Sequence, residues 1–220
     1  MQTLCWNIHP LGEAALLAEV VTDDHGAANQ AALGAAAALT ASAPPGLRAT
    51  VPAIASLLVC FDPLVIAHRA VEAQMRAALA HAEGTPTTGR RVEIPVTYGG
   101  EDGPDLTAAA QRLGLTPGEL VALHCAGPYR VLMLGFAPGF PYIGPLPPAM
   151  HLPRRATPRS AVPPGTVAIA AGLTGIYPAR LPGGWHLLGR TTLRLFAPAA
   201  APPALLAPGD LVQFVAVSAR

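Results

Sequence analysis

Hydrophobic and polar positions follow two different rhythms along this chain. Short apolar runs at residues 3–8 and 14–21 flank Gly12, and both read as strands. Residues 27–42 are alanine-rich and read as a helix, stopped by Pro44, Pro45 and Gly46. Residues 56–61, SLLVCF, form the compact apolar run of a buried strand. Asp62 and Pro63 are the residue types that start a helix: a capping carboxylate, then a ring that pre-sets the first helical φ. Leu64, Val71, Met75 and Leu79 recur on one face of that helix, and Glu72 faces Arg76 one turn on. The helix is expected to stop near Glu83 and Gly84. The order ββαβα predicts a small α+β domain over residues 1–84, with TPTTG at 85–89 as a linker.

The second domain, 85–220, opens with a strand at 91–97 and a glycine turn at Gly99 and Gly100. Two short helices follow. Pro104 starts the first and Gly114 ends it, and Thr116 to Glu119 place a capping box on the second. From Tyr129 the rhythm changes. β-like runs at 130–136, 166–171, 185–188, 192–196 and 211–217 alternate with Gly/Pro turns, which predicts a barrel or sandwich rather than a βαβ sheet. Residues 160–170 read as scaffold. No basic start followed by an apolar core is present, and no unbroken stretch is long enough to cross a bilayer. The expectation is a soluble, cytoplasmic protein with no membrane contact.

Charge changes the picture more than hydrophobicity does. Apolar residues make up 51% and charged residues 12%. A surface so poor in charge is explained either by cover from another protein or by alanine content. All 14 basic residues are arginine. Without lysine there is no Schiff base, no lysine-borne biotin and no P-loop lysine. Cys5, Cys60 and Cys125 are far apart and read as free thiols rather than a disulfide or zinc framework. Residues 1–119 hold twelve acids and six arginines, whereas residues 120–220 hold eight arginines and one acid, Asp210. From Leu120 to Gly209 there is no Asp or Glu. That half has no carboxylate pair for acid–base work and no cage for a metal. Its arginines suit carboxylate and phosphate, and are expected to meet negative charge from outside the barrel. The competing reading is neutralisation by the acidic half. A net charge of +1, no lysine and no interleaved aromatics count against nucleic acid.

Three segments concentrate candidate chemistry. The loop from Gly135 to Gly144 alternates Gly and Pro with Phe136, Phe140 and Tyr142, so it is stiff and lets a ligand or another backbone come close. The plain alternative is a loop that closes one end of a barrel. The run from Pro153 to Arg159 holds Arg154, Arg155 and Arg159 between prolines, which reduces the entropy lost on binding an anion. A solvated basic loop is its alternative. The third segment, residues 177–191, contains Tyr177, Trp185, His186 and Arg190. Its Gly184-to-Thr191 spacing mimics a P-loop, but TLRLF at 192–196 alternates like a strand and no helix is expected there, so that reading is rejected. His124 and His186 are candidate proton carriers, and Arg190 a candidate for stabilising charge.

The same residues carry a resemblance. GFAPGFPY at 135–142, PRR at 153–155, PR at 158–159, PGTVAIA at 164–170, TGIYP at 174–178, PGGW at 182–185 and GRT at 189–191 stand in order. IPVTYGG at 94–100, the Pro104-Asp105-Leu106 step, Leu123-His124 and GDLVQF at 209–214 fit too. The sequence resembles the 5-oxoprolinase B-subunit family, also described as allophanate hydrolase subunit 1 or KipI-like. The resemblance implies a small N-terminal α+β domain followed by a C-terminal cyclophilin-like β-barrel. It implies one component, inactive alone, of an ATP-dependent hydrolase that opens 5-oxo-L-proline to L-glutamate together with a C-subunit-like chain and an A-subunit-like chain. ATP and Mg²⁺ would act in the complex, with no metal ligands from this chain. The implied site joins His124, His186 and Arg190 as catalytic groups to Arg154, Arg159, Phe136, Phe140, Tyr142, Tyr177 and Trp185 around a small anionic substrate. Relatives also sit in the carboxyltransferase part of urea carboxylase, and one inhibits a histidine kinase, so a regulatory or carboxyltransferase role is the alternative. Leu173-Thr174 and Leu181 depart from the usual polar residues at the site loops.

Overall fold

The computed structural model describes residues 4–82 and 89–218, in two compact units, Met1–Thr88 and Gly89–Arg220. The expected linker lies outside the described residues apart from Gly89, as does the expected end of the second helix.

Unit one has strands β1 (Trp6–Pro10), β2 (Ala15–Val20), β3 (Leu47–Pro52) and β4 (Ser56–Phe61), and helices α1 (His25–Ser42) and α2 (His68–Ala82). The strands form one antiparallel sheet in the order β1-β2-β4-β3. Every second residue of β2 and β4 is buried, so one face is apolar. Leu57, Val59 and Phe61 on that face pack with Ala32, Ala35 and Leu39 of α1 and Val71, Met75 and Leu79 of α2. Asp24 caps α1 by accepting from the Ala27 amide at 2.9 Å. Two expectations are corrected here. β3 adds a strand to the expected set, and LRATVP gives no sign of it because it holds no apolar run. Helix α2 does not start at Asp62: that carboxylate accepts from the Leu64 amide in a turn, and Leu64 is 95% exposed.

Unit two is a closed barrel flanked by helices α3 (Leu106–Leu113) and α4 (Pro117–Cys125). Its strands are β5 (Arg91–Tyr98), β6 (Tyr129–Leu134), β7 (Pro141–Gly144), β9 (Thr166–Ala170), β10 (Leu173–Ile176), β12 (His186–Arg190) and β13 (Leu211–Ala216), ordered β10-β7-β6-β13-β5-β12-β9 and closed between β9 and β10. All pairs are antiparallel except β5 with β13. The short β8 (Arg159–Val162) and β11 (Leu181–Gly183) form a separate hairpin. Ile94, Val96, Val131, Ile143, Val167, Ile169, Val212 and Phe214 fill the core. α4 carries the expected capping box between Thr116 and Glu119. Residues 192–196 are not a strand; only Phe196 bridges, to Ala204. No helix follows Thr191, so the P-loop stays rejected. No helix among the described residues is long and apolar enough to cross a membrane.

Candidate functional site

The site is organised by one carboxylate. Positive φ at Gly99 (75°) and Gly100 (55°) turns the chain after β5, and the loop lays Gly103 so tightly on β12 that a Cβ there would collide with the Leu188 carbonyl oxygen. Asp105 follows at the N-cap of α3 but does not cap it. Its carboxylate turns to the arginines instead. Oδ1 accepts from Arg159 Nη2 at 2.8 Å and Arg155 Nη1 at 3.1 Å; Oδ2 accepts from Arg159 Nη1 at 2.8 Å and the Leu187 amide at 2.9 Å. Burial pushes the Asp105 carboxyl up, but the Arg159 hydrogen bonds, the Leu187 amide and the two guanidinium charges outweigh it and hold it below its usual range. Asp105 therefore stays ionised at neutral pH and is a brace, not a base.

This corrects the expectation that the arginines lack carboxylates of their own. The barrel unit begins at Gly89, so it owns Asp105 and also Asp102, which meets Arg190 Nε at 3.2 Å. Dividing the charge at Leu120 hides both pairings, because the two acids stand just before that point. The signal that could have found Asp105 is the Pro104-Asp105-Leu106 step.

The brace fixes a strap. The Arg155 amide donates to the Gly184 carbonyl at 2.7 Å, and His186 Nε2 donates to the Pro153 carbonyl at 2.9 Å. Residues 153–155 are thus tied by backbone, imidazole and ion pair. Arg154 between those ties is exposed, with no ion pair or hydrogen bond to another described residue. Its backbone is held and its guanidinium is available.

Beside the strap lies an aromatic wall. Phe140 meets Tyr142, Tyr177 and Trp185 edge-on, at ring-centre distances of 5.1, 5.2 and 5.8 Å. Phe136, at φ 67° and 60% exposed, stands on the rim, edge-on to Phe140 at 5.4 Å. Tyr177 is 1% exposed, and its hydroxyl occupies the space that a side chain at Gly183 would need. Burial pushes the Tyr177 hydroxyl up, the Arg154 charge opposes that, Tyr142 adds to it and Arg159 opposes it, with a net rise. The phenol stays protonated and can donate. The hydroxyls of Tyr142 and Tyr177 and the indole N–H of Trp185 make no hydrogen bond to another described residue. Phe140, Tyr177 and Trp185 are themselves buried in one core cluster, so of these rings only Phe136 and the half-buried Tyr142 present surface to a ligand.

The two histidines expected to carry protons are otherwise employed. His186 is buried and holds the strap. His124 is wholly buried inside the barrel, 4.2 Å from the ring centre of Phe214, and burial takes it down to about 3. Its hydrogen bonds fix its tautomer. Thr174 Oγ1 donates its proton to the Ala168 carbonyl at 3.1 Å, so it accepts from His124 Nε2 at 2.9 Å. Nδ1 is then bare and accepts from the Tyr98 hydroxyl at 2.6 Å. The direction runs from Tyr98 through the imidazole to Thr174 and a strand carbonyl. Such a neutral, fully satisfied chain specifies a core.

The chain is an α+β protein with a closed barrel, and its second unit carries a braced arginine strap and a packed aromatic cluster. Residues 6–206 match the carboxyltransferase domain, subdomain C and D, family. Over 229 aligned positions the chain is 39% identical to the 5-oxoprolinase B subunit of Bacillus subtilis (strain 168), covering 99% of this chain and 95% of that one. It is 44% identical to the 5-oxoprolinase B subunit of Escherichia coli O157:H7 over 172 positions, 78% of each chain. It therefore belongs to the carboxyltransferase subdomain C and D family and, within it, to the group of 5-oxoprolinase B subunits. The crystal structure of TTHA0988 superposes with a TM-score of 0.82 at 39% identity over 94% of this chain, which spans 40% of that longer one.

Proposed function

We propose that this chain is the substrate-holding component of an ATP-dependent 5-oxoprolinase, acting with a C-subunit-like and an A-subunit-like chain to open 5-oxo-L-proline to L-glutamate. The observation that carries this is Arg154: an exposed guanidinium with no ion pair or hydrogen bond to another described residue, on a strap braced by Asp105. The near full-length likeness to 5-oxoprolinase B subunits supports the choice of substrate.

In this reading the 5-oxoproline carboxylate pairs with Arg154. The lactam ring lies against Phe136, the exposed ring at the rim, and the half-buried Tyr142 hydroxyl donates to a ligand oxygen, while Phe140, Tyr177 and Trp185 form the packed cluster behind them. ATP supplies the phosphoryl group that activates the lactam oxygen. The side chains of this site bind and orient, and their fixed donors favour developing negative charge without reorganising. Among the described residues no group of three or more His, Cys, Asp or Glu could hold a metal ion, and in this reading Mg²⁺ arrives with ATP.

The test is reconstitution. The chain purified with its A-subunit-like and C-subunit-like partners is expected to release ADP and glutamate from ATP and 5-oxoproline, and none of the three chains alone should do so. An assembled complex that leaves 5-oxoproline intact removes the reading.

A further inference from the structure

A cleft lies where the turn before β9 meets the end of β12. Its volume is ≈ 460 Å³, and Gly165, Pro178, Arg190, Thr192 and Arg194 line it. No lining residue is acidic. Arg190 is held through Nε by Asp102 at 3.2 Å, and Arg194 through Nε by the Phe196 carbonyl at 3.1 Å. No terminal amino group of either guanidinium hydrogen-bonds to another described residue. The floor is rigid. The Gly165 amide donates to the Tyr177 carbonyl at 2.7 Å, and the Thr191 amide to the Gly165 carbonyl at 2.9 Å.

Two forks in one acid-free cleft ask for more than a carboxylate. A monocarboxylate has one charge and two oxygens, enough for one fork. A phosphoryl group has three terminal oxygens and up to two charges, enough for both. We propose that the Arg190–Arg194 cleft is a phosphoryl-oxyanion site, taking the terminal phosphate of a nucleotide or inorganic pyrophosphate, distinct from the carboxylate site at Arg154. Its use for ATP rests on the reaction proposed above; the binding itself does not. With one Asp102 carboxylate against two guanidinium groups, the cleft keeps a positive balance at neutral pH.

The experiment titrates the isotopically labelled full chain with pyrophosphate, ATP and 5-oxoproline, following backbone amide shifts and affinity by calorimetry. Pyrophosphate is expected to shift the Gly165, Thr191 and Thr192 amides and to bind more weakly as salt rises. ATP should shift the same amides if a nucleotide is the source; only pyrophosphate would do so if the free anion is. 5-Oxoproline should leave them unmoved. Arg190→Gln and Arg194→Gln should each weaken pyrophosphate by about tenfold or more. Arg76→Gln on α2, an equal change in net charge, should not. Shifts that avoid these amides, or affinity lost equally in Arg76→Gln, overturn the site, and the wild-type shift map decides even if one variant fails to fold. Pyrophosphate bound here by a complex that cannot open 5-oxoproline would keep the cleft and remove the proposed reaction. Turnover undisturbed in both cleft variants, with no pyrophosphate bound, would do the reverse.

Discussion

Asp105 and Arg159 meet fork to fork: both carboxylate oxygens accept from both terminal nitrogens of the guanidinium, each at 2.8 Å. Asp105 is the more buried partner, and it also holds Arg155 and the Leu187 amide. Asp105→Ala therefore strands two half-buried arginines and an amide at once. It should lower unfolding free energy by about 2–4 kcal/mol in denaturant titrations, with the midpoint moving and the slope kept. Arg155→Ala, which removes one contact, should lose about 1 kcal/mol.

Gly183 and Tyr177 compete for one space. Gly183→Ala drives a methyl into the Tyr177 hydroxyl and should lower the thermal midpoint clearly. Tyr177→Phe removes the clashing oxygen, so the double variant should be more stable than the sum of the singles predicts. Additive losses would show that the two do not touch.

His124 makes stability depend on pH. Unfolded, it titrates near the ordinary histidine value; folded, burial takes it to about 3. The unfolded chain binds the extra proton between these values, so stability is full above about 6.5 and falls as pH drops, by about 1.4 kcal/mol per pH unit. Carboxylates held low, such as Asp105, keep their stabilisation above their ordinary range and lose it only as pH falls through and below it. Denaturant titrations between about pH 6.5 and 4.5 should show this slope, and His124→Gln should flatten it while losing stability at neutral pH.

Arg154 should separate binding from folding. In the reconstituted complex, Arg154→Ala is expected to raise KM for 5-oxoproline by about tenfold or more. The thermal midpoint of the free chain should not move, because the side chain is exposed.

Elements with clean periods are legible in the sequence. β4 falls where its apolar run stands, and α4 starts at its capping box. β10 and β11 leave no such trace, because LTGI and LPG are short and hold glycine or proline; neighbouring strands, not local preference, make them strands. The reverse holds at 192–196, where alternation is present but the segment makes only an isolated bridge, from Phe196 to Ala204. At the site, motif residues stand out in order, but the brace does not. Asp105 and Arg159 are 54 positions apart, and nothing local in either segment announces the other. His124 reads as a proton carrier because sequence shows residue type and not depth.

The barrel's opening strand β5 lies parallel to its final strand β13, and Arg90 clasps Asp210 across 120 positions. Without β13, both β5 and β6 become raw sheet edges with unmet backbone groups. A ribosome must therefore deliver almost the whole unit before the cylinder can shut, and loop closure makes that late event slow. Nascent or truncated copies would pass that interval as sticky half-barrels, in need of chaperone shelter.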